Sequence, residues 1–424
     1  MGRILTSWRG SAALVAAAAT LPRLVVLAHV RGVILTQYVE KSDDFARTLV
    51  SSGTYGFVPG HPSAYTQPLY GWFLAGLYWA IERQWLVVGI AQTLVAAATA
   101  LVVLWTGRRF LSARAGLVAA LVSTLHPYLV WHDVHVNREI LDQLLGAAIF
   151  ALTLALAEKG SPWLAAGLGV VLGLALLGNS RLTALPVFLA VYLVWNRVGG
   201  TAVLIVLVLC AATVAPWVVR NKVVLGCYAL TTDSRALWKA NNVNTYSTLA
   251  HGGWIDDVPP LPGGPPSPED AAAQFAATGR YPPIDECAQL RLYEHATIQF
   301  WRHHPGEKAK LMQQAVRMLW DPRPTTTETG PSSGGKSHLR TVAETVWAVP
   351  VFALALLGVA LGFRSATVPR RFLWLALLFL VYETLAAMLF AGATRYRISF
   401  DFVLALLAGL AVDRLLVRRE SAAR

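Results

Sequence analysis

Apolar residues run along this chain in long stretches separated by short polar turns. Ten stretches stand out, near 11–30, 85–106, 115–132, 139–157, 163–178, 182–195, 201–219, 342–362, 372–390 and 397–417. A helix needs about 20 mainly apolar residues to cross ~30 Å of hydrocarbon, so these are read as membrane spans. A further run, PLYGWFLAGLYWAI at 68–81, is shorter, opens on proline and is dense in tyrosine and tryptophan. Aromatic rings favour the headgroup region, so this run is expected to lie in the interface rather than cross. The pattern predicts an all-α polytopic membrane protein of about ten transmembrane helices, with an interfacial helix and a small, mostly helical outer segment.

Composition agrees: 55% of the 424 residues are hydrophobic and only 14% charged. The net charge of +12 would suggest nucleic acid as partner for a soluble chain. Here the arginines sit in short turns between apolar runs: Arg108, Arg109 and Arg114; Arg364, Arg370 and Arg371; Arg414, Arg418 and Arg419. That is the bias expected of cytoplasmic loops. The partner it implies is the lipid bilayer, and nucleic acid is excluded.

Charge also fixes the expected orientation. If 68–81 crossed, every later loop would change sides and the clusters at 108–114 and 364–371 would face outward. With 68–81 in the interface, both termini are cytoplasmic and two large segments, 31–84 and 220–341, lie outside. The first run follows Arg3 and Arg9, is longer than the core of a cleaved leader and leads into a polar loop, so an uncleaved helix is expected. Three regions follow: an N-terminal membrane module over 1–219, an outer cap over 220–341, and C-terminal membrane helices over 342–424.

The cap carries helix signals. Ser267-Pro268-Glu269-Asp270 is a start signature. Helical spacing of apolar residues runs from Asp285 to His303 and resumes after Pro305, ending at Asp321-Pro322. The stretches 256–268 and 321–337 read as loops. Cys227 and Cys287 both fall in this outer segment, where an oxidising environment permits a disulfide, whereas Cys210 lies in a span.

Candidate chemistry gathers on the outer side. Asp43 and Asp44 follow the first span. Adjacent carboxylates at a membrane surface can serve as a general base towards a hydroxyl or hold a divalent cation beside a phosphate, although Ser42-Asp43-Asp44 also reads as a helix start. Arg23 lies inside the first apolar run, where a charge needs a partner, a wet cavity or a route to the headgroups. The turn 131–143 (WHDVHVNREILDQ) brings polar residues including Glu139 to an outer edge, as a cavity rim or, with Asp133 and His135, a metal site. Arg181, and Arg395 and Arg397 around Tyr396, also face outward. A guanidinium there can take phosphate in a bidentate grip or anchor the interface.

In order and placement these pieces resemble bacterial polyprenyl-phosphate-dependent glycosyltransferases of the GT-C fold, the broad set that holds protein O-mannosyltransferases (family 39) and aminoarabinose transferases. The resemblance covers most of the chain: Arg23 and the Asp43-Asp44 loop, PSAYTQPLYGWFLAGLYW (62–79), GNSRLTALPVFLAVYLVW (178–195), APWVVRNKVVLGCYALTTDS (215–234), ATIQFWRHHPGEKAKLMQQAVRMLWDP (296–322) and ATRYRISFDFVLAL (393–406). It implies that Asp43 or Asp44 is the catalytic base, Asp43 being favoured. It further implies that Arg395 and Arg397, with Arg23 and Arg181, bind the donor phosphate, and that His61, Tyr65, Gln67, Tyr70, Glu139 and Tyr396 line the substrate cavity. The expected partners are a polyprenyl-phosphate-linked sugar donor and a glycolipid or cell-envelope glycan acceptor. The expected place is the bacterial inner membrane, with the site on its extracytoplasmic face.

Two departures matter. Gln67 stands where aminoarabinose transferases carry lysine before the proline, so arginine must supply that charge. The domain that protein O-mannosyltransferases insert in the later outer loop is absent, so a protein acceptor is not expected. The resemblance demands no organic cofactor, and it leaves a divalent metal, with His61 and the acidic pair as ligands, as an open use of the site. A carrier or flippase for lipid-linked sugars would show paired repeats and helices broken at mid-membrane, with short loops; no repeat is seen, and the polar residues cluster at one face. A non-catalytic envelope-assembly protein would not need Asp-Asp and Arg-Tyr-Arg intact.

Overall fold

The computed structural model describes residues 7–36, 40–323 and 338–422. The described residues form helices and connecting turns, with one isolated bridge between Val58 and His61. Among the described residues six helices are long and apolar enough to cross a membrane: Trp8–Leu35, Trp85–Phe110, Glu139–Lys159, Gly200–Leu225, Thr341–Arg364 and Arg370–Leu389. The other expected spans are present as helices but are shorter or more charged: Ala113–Thr124, Pro162–Gly178, Ser180–Trp195 and Asp401–Ala422. The fold class is therefore as expected, while six spans rather than ten meet the length and composition for crossing unaided.

One expected span is broken. The stretch 115–132 forms two helices, Ala113–Thr124 and Pro127–His132. Proline disfavours helical backbone at the residue before it, and His126 is accordingly extended, with its ring accepting from the Tyr128 amide at 3.1 Å. The break frees the Thr124 carbonyl, which accepts from Nη1 of Arg23 at 3.0 Å.

The helices pack in one bundle, with Phe150, Phe372, Phe379 and Phe402 meeting edge to face at its centre. Val25, Leu94, Val191, Val346 and Leu356 point outward and are exposed. Such apolar exposure suits contact with lipid chains, not water. Small residues bring helices close: a Cβ at Gly107 would overlap Gly116 of the next helix, the kind of approach membrane helices rely on. The helix Pro68–Ile81 forms as expected, with Tyr70 and Tyr78 buried and Trp79 exposed.

The cap contains the expected helices, Pro268–Thr278, Glu286–His303 and Pro305–Trp320. Ser267 and Asp270 form a reciprocal capping box and Asp285 caps the next helix, as their sequence signals require. Cys227 and Cys287 are joined in a disulfide. Of the expected loops, 256–268 is irregular apart from a single 3-10 turn and the start of a helix, and 324–337 lies outside the described residues. The cap is tied to the bundle by Lys308, whose Nζ donates to Asn241 at 2.6 Å and to the Met388 carbonyl at 2.8 Å, at the C-terminal end of Arg370–Leu389. Carbonyls at a helix end lack partners of their own and favour a cation.

The strand of chain leaving that helix passes close beneath the cap. A Cβ at Gly392 would overlap the carbonyl of Ala315. Gly392→Ala should therefore shift the loop 390–393 at a cost of about 1–3 kcal/mol, the usual range for overpacking. A lower unfolding temperature in detergent is the expected reading, and an unchanged one would show that the cap yields freely.

Candidate active site

A cavity of about 480 Å³ lies between bundle and cap. Its walls are Glu40, Lys41 and Asp44 at the start of the helix Lys41–Ser52; Tyr65 to Gln67; Arg138; Asn179 to Arg181; Arg395 and Tyr396; and, from the cap, Asp233, Asp256 and Glu269. Membrane helices thus contribute the ends nearest the cap, and the cap closes over them.

The two aspartates point different ways. Asp43 is fully buried: Tyr78 donates to Oδ1 at 2.5 Å, and Arg83 donates to Oδ1 and Oδ2 at 2.9 Å each. Both carboxylate oxygens are engaged, and Asp43 is not among the cavity's lining residues. Asp44 lines the cavity, is 46% exposed and pairs with Arg47 at 3.5 Å. It also borders a second cavity, with Arg47, Phe57 and Arg83. Partial burial and the neighbouring Asp43 charge hold its carboxyl above the usual aspartate range, against the pull of Arg47. Successive helical residues lie about 100° apart, so one carboxylate turns in and the other out.

The arginines divide in the same manner. Arg23 is buried, with Nε at 2.9 Å and Nη2 at 2.6 Å from Asp133 Oδ2, and it does not reach the cavity. Arg397 is buried against Asp401 at 3.1 Å, donates to the Leu319 carbonyl at 2.7 Å and does not reach it either. Two of the four arginines expected to meet phosphate are thus held in buried ion pairs instead. Arg181 and Arg395 do line the cavity. Arg181 lies 3.9 Å from the centre of the Tyr396 ring and donates to the Ala391 carbonyl at 3.0 Å. Arg395 donates to Glu139 at 2.6 Å and in a shorter contact to Glu40. Burial alone would lower the Arg395 guanidinium, but Glu139 and Glu40 outweigh it and keep the group firmly charged.

Of the residues expected in the substrate cavity, Tyr65, Gln67 and Tyr396 line it, and Glu139 stands directly behind Arg395. Tyr70 does not reach it: its hydroxyl donates to Gln92 at 2.5 Å and accepts from the Asn137 amide at 2.9 Å in the core. His61 belongs to a separate outer shelf, stacked on Tyr281 at 4.0 Å. Asp133 is held by Arg23 and by Gln143 at 3.2 Å, and His135 faces the Trp131 carbonyl at 2.8 Å. Among the described residues no three His, Cys, Asp or Glu side chains gather as metal ligands.

Sequence reasoning passed over several lining groups. Arg138 lay in the polar turn 131–143 without a role assigned; its Nη1 donates to Gln67 Oε1 at 2.6 Å, and Gln67 in turn donates to Ser180 at 3.1 Å. Gln67 thus carries no charge itself but aims a guanidinium into the cavity. Lys41 forms a 3.0 Å ion pair with Glu269. Burial would lower its ammonium, but Asp233 and Glu269 prevail and raise it. The cavity is therefore polarised, with guanidinium groups from the bundle on one wall and Lys41 among the carboxylates of the cap on the other. Such a site can grip an anion at one end and hydroxyl-rich groups at the other.

Residues 60–219 match the family described as dolichyl-phosphate-mannose-protein mannosyltransferase. No curated protein matches the chain significantly in sequence. Among solved structures, the apo oligosaccharyltransferase of Archaeoglobus fulgidus is similar with a TM-score of 0.55 at 12% identity, over 97% of this chain and 52% of that one. The oligosaccharyltransferase AglB of the same organism, in complex with an inhibitory peptide and a dolichol-phosphate, gives 0.52 at 12% identity, over 99% and 52%. ArnT from Cupriavidus metallidurans bound to undecaprenyl phosphate covers 96% of this chain and 79% of its own, at 16% identity and a TM-score of 0.45. The chain spans about half the length of the two oligosaccharyltransferase chains. The chain thus shares its fold with these oligosaccharyltransferases, and its residues 60–219 are similar to the mannosyltransferase family.

Proposed function

We propose that the chain transfers a sugar from a polyprenyl-phosphate donor to a hydroxyl of a glycolipid or cell-envelope glycan, on the extracytoplasmic face of the bacterial inner membrane, with Asp44 as general base. The observation that carries this reading is that Asp44 and three guanidinium groups, Arg138, Arg181 and Arg395, line one cavity at the outer helix ends. The dolichol-phosphate bound by the AglB structure, which shares this fold, supports a lipid-phosphate donor. The arginine-rich turns on the opposite side support the orientation.

In the transfer, the acceptor oxygen forms a bond to the anomeric carbon while its proton passes to the Asp44 carboxylate. The bond from the anomeric carbon to the phosphate oxygen breaks, and the lipid phosphate departs with the electron pair. Charge gathers on that leaving phosphate, and guanidinium groups fixed beforehand stabilise it without reorganising. Asp43 acts through position: its pair with Arg83 pins the first turn from which Asp44 projects.

The test is transfer by the purified chain in lipid nanodiscs, supplied with a panel of radiolabelled polyprenyl-phosphate sugars and extracted envelope glycolipids. Transfer from at least one donor is expected. A charge-assisted hydrogen bond contributes about 1.5–3 kcal/mol, so Arg181→Ala and Arg395→Ala should each weaken donor binding by about 10- to 100-fold. Neither transfer nor donor binding across the panel would overturn the reading.

A further inference from the structure

Arg395 meets the cavity already engaged by two carboxylates, and these are not equivalent. Glu139 is only 4% exposed, with His132 and Arg138 at 3.7 and 3.9 Å. It has little freedom to leave. Glu40 lines the cavity, its side chain is 22% exposed, and it takes a short hydrogen bond from Nη2 of Arg395. It also stands at the position just before the helix Lys41–Ser52, in extended backbone, and its carboxylate makes no capping bond to the first-turn amides.

A phosphate arriving at Arg395 competes for the donor that Glu40 occupies. Three anions around one guanidinium repel one another strongly at such spacing, so one must move, and the exposed one is Glu40. A place to move to lies next door: the amides of the first turn of Lys41–Ser52 form the positive end of that helix and favour a carboxylate.

We propose that Glu40 gates the donor phosphate. It holds Arg395 while the cavity is empty, yields the guanidinium when the lipid phosphate arrives, and reclaims it as the product phosphate leaves. The gate lowers the affinity for every lipid phosphate, and in return it speeds release of the spent carrier. It acts through Arg395 and touches no reacting atom, so it is a positioning residue. The inference rests on the lipid-phosphate reading above.

The test measures binding of undecaprenyl phosphate to the purified full-length chain in nanodiscs, with undecaprenol and inorganic phosphate as companion ligands. Glu40→Gln keeps the shape and removes the competing charge. It should bind undecaprenyl phosphate about tenfold more tightly, raise affinity for inorganic phosphate in the same direction, and leave undecaprenol unchanged. In steady state its KM for the donor and its kcat should fall together, because product release slows. A residue that merely braced Arg395 gives the opposite sign, namely weaker binding. Should Glu40→Gln fail to fold, Glu40→Ala carries the same expectation. Equal or weaker binding of undecaprenyl phosphate by a variant with the wild-type unfolding temperature overturns the gate, and so does an equal gain for undecaprenol. If the wild-type chain itself fails to bind undecaprenyl phosphate, the lipid-phosphate reading falls and the gate with it; wild-type binding without a gain in the variant removes the gate alone.

Discussion

Asp44→Asn is expected to lower sugar transfer by about 10²–10⁴-fold, the usual contribution of a positioned general base, while donor binding stays within a few-fold of wild type. The amide keeps the size of the carboxylate and its place beside Arg47, but it cannot accept the acceptor's proton. Asp43→Asn should behave differently. It weakens the bidentate grip of Arg83 and the Tyr78 hydrogen bond that fix this turn, so part of its effect must appear as a lower unfolding temperature. The pH profile gives a second measure. Asp44 must be ionised to act, and burial together with the Asp43 charge raises its pKa above the ordinary value of about 3.9. Activity should therefore fall with acid at a higher pH than an unperturbed aspartate would give. Arg47→Ala removes a charge that pulls this pKa down, and it should move the acid limb higher still. Full transfer by Asp44→Asn, or an acid limb that Arg47→Ala leaves in place, would remove Asp44 from the proton transfer.

The membrane helices were legible because an apolar run of sufficient length has few other uses in a chain so poor in charge. Helix starts marked by proline were legible too, since Pro68, Pro268 and Pro305 each sit at the first turn they were expected to open. The break before Pro127 was not read, because the flanking residues are apolar enough to continue one helix. At the site, residue type was easier to read than direction. Asp43 and Asp44 are neighbours of identical chemistry, and only the packing of Tyr78 and Arg83 decides which of them faces the cavity. Arg395 and Arg397 present the same case: one turn of helix sends the first towards Glu139 and the second towards Asp401. Asp233 and Asp256 come from stretches of the cap whose local pattern carries no period, so nothing in sequence placed them opposite the arginines.

Arg23 shows what such long-range pairing is worth, and Arg23→Met is expected to cost about 3–5 kcal/mol of stability, the range for breaking one half of a buried ion pair. Its guanidinium also serves the Ala19 and Thr124 carbonyls, at 2.9 and 3.0 Å. Methionine fills much of the same volume but leaves Asp133 fully buried, with its charge met, among the described side chains, by the Gln143 amide at 3.2 Å. The prediction is a sharp drop in unfolding temperature and in the yield of monodisperse protein. Arg23→Met combined with Asp133→Asn should recover a large part of the loss, since the stranded charge is gone while the Gln143 hydrogen bond survives. That recovery separates the clamp from the phosphate-binding role that the sequence suggested. A phosphate ligand would leave a folded Arg23→Met protein that cannot bind donor, and the second substitution would rescue nothing. Wild-type unfolding temperature in the single variant would show that Asp133 finds another partner and that the pair does not hold the first helix to the Pro127 break.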